Sequence, residues 1–134
     1  MTIEQSTLDK EYFAWKFYCE DTSGSADVRD YFEDLSQRVK DFYIDRAIRS
    51  VVVCAANKFS DGLIVCGARH YDRIMHRQIK NRFDEKSVQG FINQFGNFLT
   101  REEAWIIAKH QNQIIRRVGG DTANGGTLYS ENLY

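Results

Sequence analysis

The stretch "SVVVCAANKFSDGLIVCGA", residues 50–68, constrains the fold more than any other. Apolar and β-branched residues fill both arms, and "SDG" interrupts them. Two short buried strands joined by a tight turn are predicted. A two-stranded hairpin is not stable by itself, so the rest of the chain must cover it. With 134 residues, 43% of them hydrophobic, there is enough chain for one domain's worth of core. Proline is absent, so the turns fall to Gly, Asn, Asp and Ser.

The hairpin divides two kinds of sequence. Before it, "STLDKEYFAWKFYC" reads as a short helix, and "EDTSGSAD" at 20–27 as a linker. Val28, Tyr31, Phe32, Leu35, Val39, Phe42, Tyr43, Ile44 and Ala47 then recur every three or four residues. That stripe predicts an amphipathic helix of about five turns, with Asp27 as its N-cap. After the hairpin, Ile74, Met75 and Ile79 mark a helix that begins near Arg69. "QGFINQFGNFL" alternates, which predicts a strand or a hairpin turning at Gly96-Asn97. "TREEAW" opens a second helix. Thr100 and Glu103 have the spacing of a capping box, and the helix is expected to stop near Gln111-Asn112. "QIIRRV" reads as a last short strand. The expected class is α/β or α+β: a small mixed sheet packed with two or three helices, preceded by a helical segment. Residues 1–49 form the acidic helical segment and residues 50–134 the core.

Charge separates along the same line. Residues 1–48 carry eleven acids against six bases, and residues 49–134 carry eight against twelve. An anionic ligand therefore belongs with the second part, unless the two parts simply attract each other or a neighbouring copy. No dense basic stripe suits the tracking of a nucleic-acid backbone. No apolar run is long enough to span a membrane, and the first residues lack the pattern of a secretory signal. Cys54 and Cys66 lie in apolar runs, where thiols behave as small buried hydrophobes. With Cys19 the count is odd and no zinc spacing appears, which predicts a reducing, intracellular setting.

Catalytic patterns are sparse. "HYDRIMH" brings His70, Asp72 and His76 close in sequence, enough for a metal or an acid/base pair, but also for a surface charge pair. A nucleophile elbow, a P-loop and a dinucleotide fingerprint are all missing. What remains is a set of anion and base handles. Arg69, His70 and Arg73 surround a strand-to-helix junction whose free amides could meet a phosphate. Arg101 opens the next helix, where the dipole disfavours a cation unless an anion is bound. Arg116 and Arg117 follow the last apolar pair. Phe91, Phe95, Trp105 and Tyr129 could stack on a base, although Phe and Trp more often fill a core. In "GGDTANGGTLYSENLY", Gly119, Gly120, Gly125 and Gly126 permit positive φ and close backbone approach. Asp121, Thr122, Asn124 and Thr127 supply polar groups, while Leu128, Tyr129, Leu133 and Tyr134 need somewhere to pack. The tail is therefore expected to be ordered, on its own sheet or on a neighbouring subunit.

Together "GARHYDRIM", "QGFINQFGNFLTREEAW" and "GGDTANGGTLYSENLY" resemble small bacteriophage proteins that sequester cyclic nucleotide immune signals. The likeness covers roughly residues 50–134 and is to the Thoeris anti-defence sponges, with the anti-CBASS sponges as neighbours. It implies a non-catalytic protein in the host cytoplasm, with no cofactor and no catalytic or metal residues. It also implies a homodimer or higher homo-oligomer that binds a cyclic ADP-ribose isomer or a cyclic oligonucleotide. Ligand contacts are expected from Arg69, His70, Arg73, Phe95, Arg101, Arg116, Asn124, Thr127 and Tyr129. Two other readings stay open: a cyclic-nucleotide phosphodiester hydrolase using His70, Asp72 and His76, and an interaction module acting through the N-terminal helix.

Overall fold

A computed structural model of the chain describes residues 8–22, 35–82 and 84–134. Two compact units divide it, Met1–Ser50 and Val51–Tyr134. The class is α+β, as expected, with four α-helices and four strands among the described residues.

In the first unit, α1 (Lys10–Asp21) starts where the Asp9 carboxylate accepts the Tyr12 amide at 3.0 Å. It buries Phe13, Ala14, Phe17 and Cys19. Helix α2 (Gln37–Arg49) starts at Ser36, whose hydroxyl accepts the Val39 amide. The Tyr43 hydroxyl donates to Asp21 at 2.8 Å, and the Tyr18 and Tyr43 rings meet edge to face at 5.4 Å. These contacts pair the two helices. The predicted five-turn helix does not run unbroken to Ala47. Leu35 is a bend and Ser36 an extended cap, because serine satisfies the orphan amides of a helix start better than it continues a helix. Asp27, Val28, Tyr31 and Phe32 lie outside the described residues.

The second unit is built on the hairpin. Strand β1 (Val52–Phe59) pairs antiparallel with β2 (Ile64–Gly67), and Gly62 turns at φ +94 between them. Helix α3 (Arg73–Ile79) follows and buries Met75 and Ile79 against Phe59 and Val65. Strand β3 (Ser87–Asn93) returns along β1, and β4 (Phe98–Thr100) folds back on β3. The sheet order is β2-β1-β3-β4, antiparallel throughout. In the β3–β4 turn the buried Asn93 side chain accepts from the Phe95 and Asn97 amides, an Asx-type turn closed by Gly96 at φ +83. Helix α4 (Arg101–His110) packs on β3 and β4 and buries Ala104, Trp105, Ile107 and Ala108.

Three sequence expectations fail here. "QIIRRV" is not a strand. The Gln113 side chain takes the place of strand pairing, accepting from the Val52 amide and donating to the Val52 carbonyl, both at 2.8 Å. The Ile115 amide turns instead to the Asn132 carbonyl. The helix expected from Arg69 begins four residues later, because Asp72 caps it through the Met75 amide. Finally, Cys54 and Cys66 are half-buried rather than fully buried.

The tail is ordered and docked. Leu128 is fully buried, and its amide bonds the Arg101 carbonyl at 3.0 Å. The buried Asp121 carboxylate accepts from the Arg117 guanidinium at 2.8 and 2.7 Å, from the Val118 amide and from Asn132. These donors, the Arg117 guanidinium foremost, hold the acid far below the ordinary carboxylate range. Gly126, at φ +133, lies flat against the Trp105 indole, where a Cβ would collide with the ring.

Candidate functional site

The strap between β2 and α3 brings two predicted site residues over the sheet. Gly67 permits this, because a Cβ there would strike the Asp72 carboxylate. That carboxylate ties the strap through the Arg69 amide at 3.1 Å and the Met75 amide at 2.9 Å. His70 then reaches β3. Its Nε2 lies 2.8 Å from the Gly90 carbonyl, and its ring meets Phe91 edge to face at 5.3 Å.

Burial lowers the His70 pKa, and the nearby Arg101 guanidinium lowers it further, against the Gly90 bond. Both effects favour the neutral imidazole. A proton on Nε2 donates to Gly90, which leaves Nδ1 as an acceptor facing Arg101 Nη2 at 3.4 Å.

Arg101 is fixed by the capping box in which Thr100 accepts the Glu103 amide and Glu103 accepts the Thr100 amide. Its guanidinium turns back over the sheet. It donates to Gln89 at 2.7 Å and sits 4.9 Å from the Tyr129 ring centre. Arg69 faces the tail from the other side. It donates to the Tyr134 main-chain oxygen and lies 5.1 Å from the Tyr134 ring centre. Its Nη1 is 3.8 Å from Glu131 Oε1 and, although buried, makes no hydrogen bond. The Tyr134 hydroxyl completes the clasp by donating to the Ala68 carbonyl at 2.7 Å.

Glu131 lies within the field of both guanidiniums. Its own backbone amide, the Ser130 hydroxyl, Arg69 and Arg101 together hold its carboxyl below the ordinary range. The cluster is thus one carboxylate beside the Arg69 guanidinium and within the field of Arg101, with the His70 imidazole and the Tyr129 face against Arg101.

Of the predicted ligand residues, Arg69, His70, Arg101 and Tyr129 come together. Arg116 touches the rim, donating to the Glu131 main-chain oxygen at 3.3 Å. Arg73 is exposed at the start of α3. Phe95 sits in the β3–β4 turn, and Asn124 is exposed in a left-handed turn at φ +56. Thr127 is buried, its hydroxyl given to the Ala123 carbonyl at 2.8 Å. The stacking roles considered for Phe91 and Trp105 lapse, since both rings are buried. Sequence reasoning passed over Gln89, Glu131 and Tyr134.

His70, Asp72 and His76 are not focused on one point. His70 is tied to β3, Asp72 caps α3, and His76 is exposed with its ring 6.5 Å from Tyr71. Among the described residues no three His, Cys, Asp or Glu side chains are grouped to hold a metal ion. Nor is the amide-rich strand-to-helix junction open to a phosphate, because Asp72 occupies it. The strand-end rule behind that expectation belongs to parallel sheets, and this sheet is antiparallel.

A family model described as Phage T4 y16D protein matches residues 51–134, the unit that holds this cluster. The chain belongs to that family. No curated protein and no solved structure matches the chain. The y16D-matching region begins at the first residue of the β-sheet unit, and contains Arg69, His70, Gln89, Arg101, Tyr129 and Glu131. No described helix of this y16D-family chain is long and apolar enough to cross a membrane.

Proposed function

We propose that this phage-family protein binds and sequesters a cyclic nucleotide signal, a cyclic ADP-ribose isomer or a cyclic oligonucleotide, and so blunts host antiphage defence. The observation that carries the reading is the buried Arg69 Nη1, which makes no hydrogen bond and lies 3.8 Å from the Glu131 carboxylate. An unsatisfied guanidinium nitrogen beside a carboxylate, with the charge of Arg101 acting on the same acid, makes an anion site of the kind a phosphate fills. In the proposal the ligand phosphate displaces Glu131 and takes up the buried Arg69 Nη1. Tyr129, already against Arg101, offers its ring to a base. His70 stays neutral and orients Arg101. The protein acts in the host cytoplasm as a homodimer or higher homo-oligomer, and leaves its ligand intact.

The test is to incubate the full chain with cyclic dinucleotides, cyclic trinucleotides and cyclic ADP-ribose isomers. Bound material is then isolated by filtration, released by heating and weighed by mass spectrometry. One of these compounds is expected to be retained and to return unchanged. Recovery of a linearised product would overturn sequestration, as would retention of none.

A further inference from the structure

The β1–β2 register sets Ala56 opposite Cys66, and Cys54 is two residues from Ala56. Cys54 and Cys66 therefore project from the same face of the sheet, as diagonal neighbours on adjacent strands. Both thiols are half-buried, and each is the largest influence on the titration of the other. Cys19, in contrast, is buried in the other unit. The local backbone has some freedom. Cys54 lies one residue beyond the last paired residue of the β1–β2 ladder, Ala55, and beside an irregularity in the β1–β3 pairing between Val52 and Cys54. Cys66 is held on its outer side by Gln78, which accepts from its amide and donates to its carbonyl.

We infer that Cys54 and Cys66 form a redox-active dithiol that closes to an intramolecular disulfide in exchange with a small-molecule disulfide such as oxidised glutathione. In the first step the Cys66 thiolate attacks one glutathione sulfur. A Cys66–glutathione disulfide forms, and one glutathione thiolate leaves. The Cys54 thiol then loses its proton and attacks the Cys66 sulfur, displacing the second glutathione. Two protein thiols are oxidised by two electrons, one disulfide is reduced to two thiols, and those thiols take up the two protons.

The electrostatics of the pair favour this order. The neighbouring Cys54 thiol favours the Cys66 thiolate and brings that thiol down to about 7, against its desolvation. The same pairing, with burial, pushes the Cys54 thiol well up, so the second proton leaves only as the new bond forms. The location ties the pair to the anion cluster. Continuing the register by one step sets Cys54 opposite Ala68, whose carbonyl holds the Tyr134 hydroxyl. The disulfide would lie at the root of the strap that carries Arg69 and His70.

The experiment treats the full-length folded protein with oxidised glutathione, quenches with acid, alkylates free thiols and maps the cysteines by mass spectrometry. A Cys54–Cys66 disulfide is expected, with Cys19 still free. Before oxidation, alkylation of Cys66 at neutral pH is expected to outpace that of Cys19 by on the order of tenfold. In C54S, glutathione is expected to remain on Cys66 as a stable mixed disulfide. The inference fails if both cysteines of the wild type stay free. It also fails if the wild type stops at a mixed disulfide, or if the bridge involves Cys19.

Discussion

Gly126→Ala tests how the tail is held. Gly126 sits at φ +133 and ψ +127, a region that L residues avoid, at a cost of ~1–3 kcal/mol. The added methyl would also enter the Trp105 ring, and overpacking of this kind costs ~1–3 kcal/mol. The two effects have separate causes, so the loss is expected at about 2–6 kcal/mol, a large share of an ordinary domain's stability. Urea unfolding followed by tryptophan fluorescence measures it. A cycle with Trp105→Leu separates the two causes. Relieving the collision should make the double variant less destabilised than the sum of the singles by ~1–3 kcal/mol, while the backbone strain remains. If Gly126→Ala lies within about 0.5 kcal/mol of wild type, the tail does not lie on the indole as described.

Three further outcomes follow from the same geometry. Thr100→Ala removes the hydroxyl that accepts the Glu103 amide and should cost about 1 kcal/mol in the same unfolding assay. Glu131→Gln removes the carboxylate near Arg69 and Arg101, so it should tighten binding of a phosphate ligand in calorimetric titration; weaker binding would mean that Glu131 contacts the ligand rather than competes with it. His70 has a folded pKa below its ordinary value, so the unfolded chain takes up a proton first as pH falls through about 6.5. Stability should therefore drop below that pH until the folded imidazole also protonates. The slope between pH 7 and 5 should be shallower in His70→Gln, and equal slopes would refute a buried neutral imidazole.

The parts of the fold that local rules govern were legible in the sequence. The β1–β2 hairpin, the β3–β4 turn and the Thr100–Glu103 box each follow from residues within a few positions of one another. What escaped depended on distant partners. "QIIRRV" has strand composition, but the Gln113 side chain meets β1 where its backbone would have done so. Asp72 looked like half of a charge pair with His76, and it spends both oxygens capping the strap and helix. The tail glycines suggested close approach to a ligand; Gly126 approaches Trp105 instead. In the candidate site, Arg101 was visible because a cation at a helix start is anomalous, while Arg69 was singled out for a helix start that lies four residues further on. Gln89, which accepts from Arg101, Glu131 beside Arg69 and the ring of Tyr134 come from other segments of the chain and carry no local signature.

Calorimetric titration of wild type and Arg101→Ala, with the panel of cyclic dinucleotides, cyclic trinucleotides and cyclic ADP-ribose isomers, tests the central claim most directly. Arg101 is exposed enough to replace without emptying the core, and circular dichroism can confirm that the variant is folded. The account predicts that wild type binds one of these compounds and that Arg101→Ala weakens this binding at least tenfold, the ~1.5–3 kcal/mol scale of a charge-assisted hydrogen bond. Equal binding by a folded Arg101→Ala, or no binding by wild type, would contradict it.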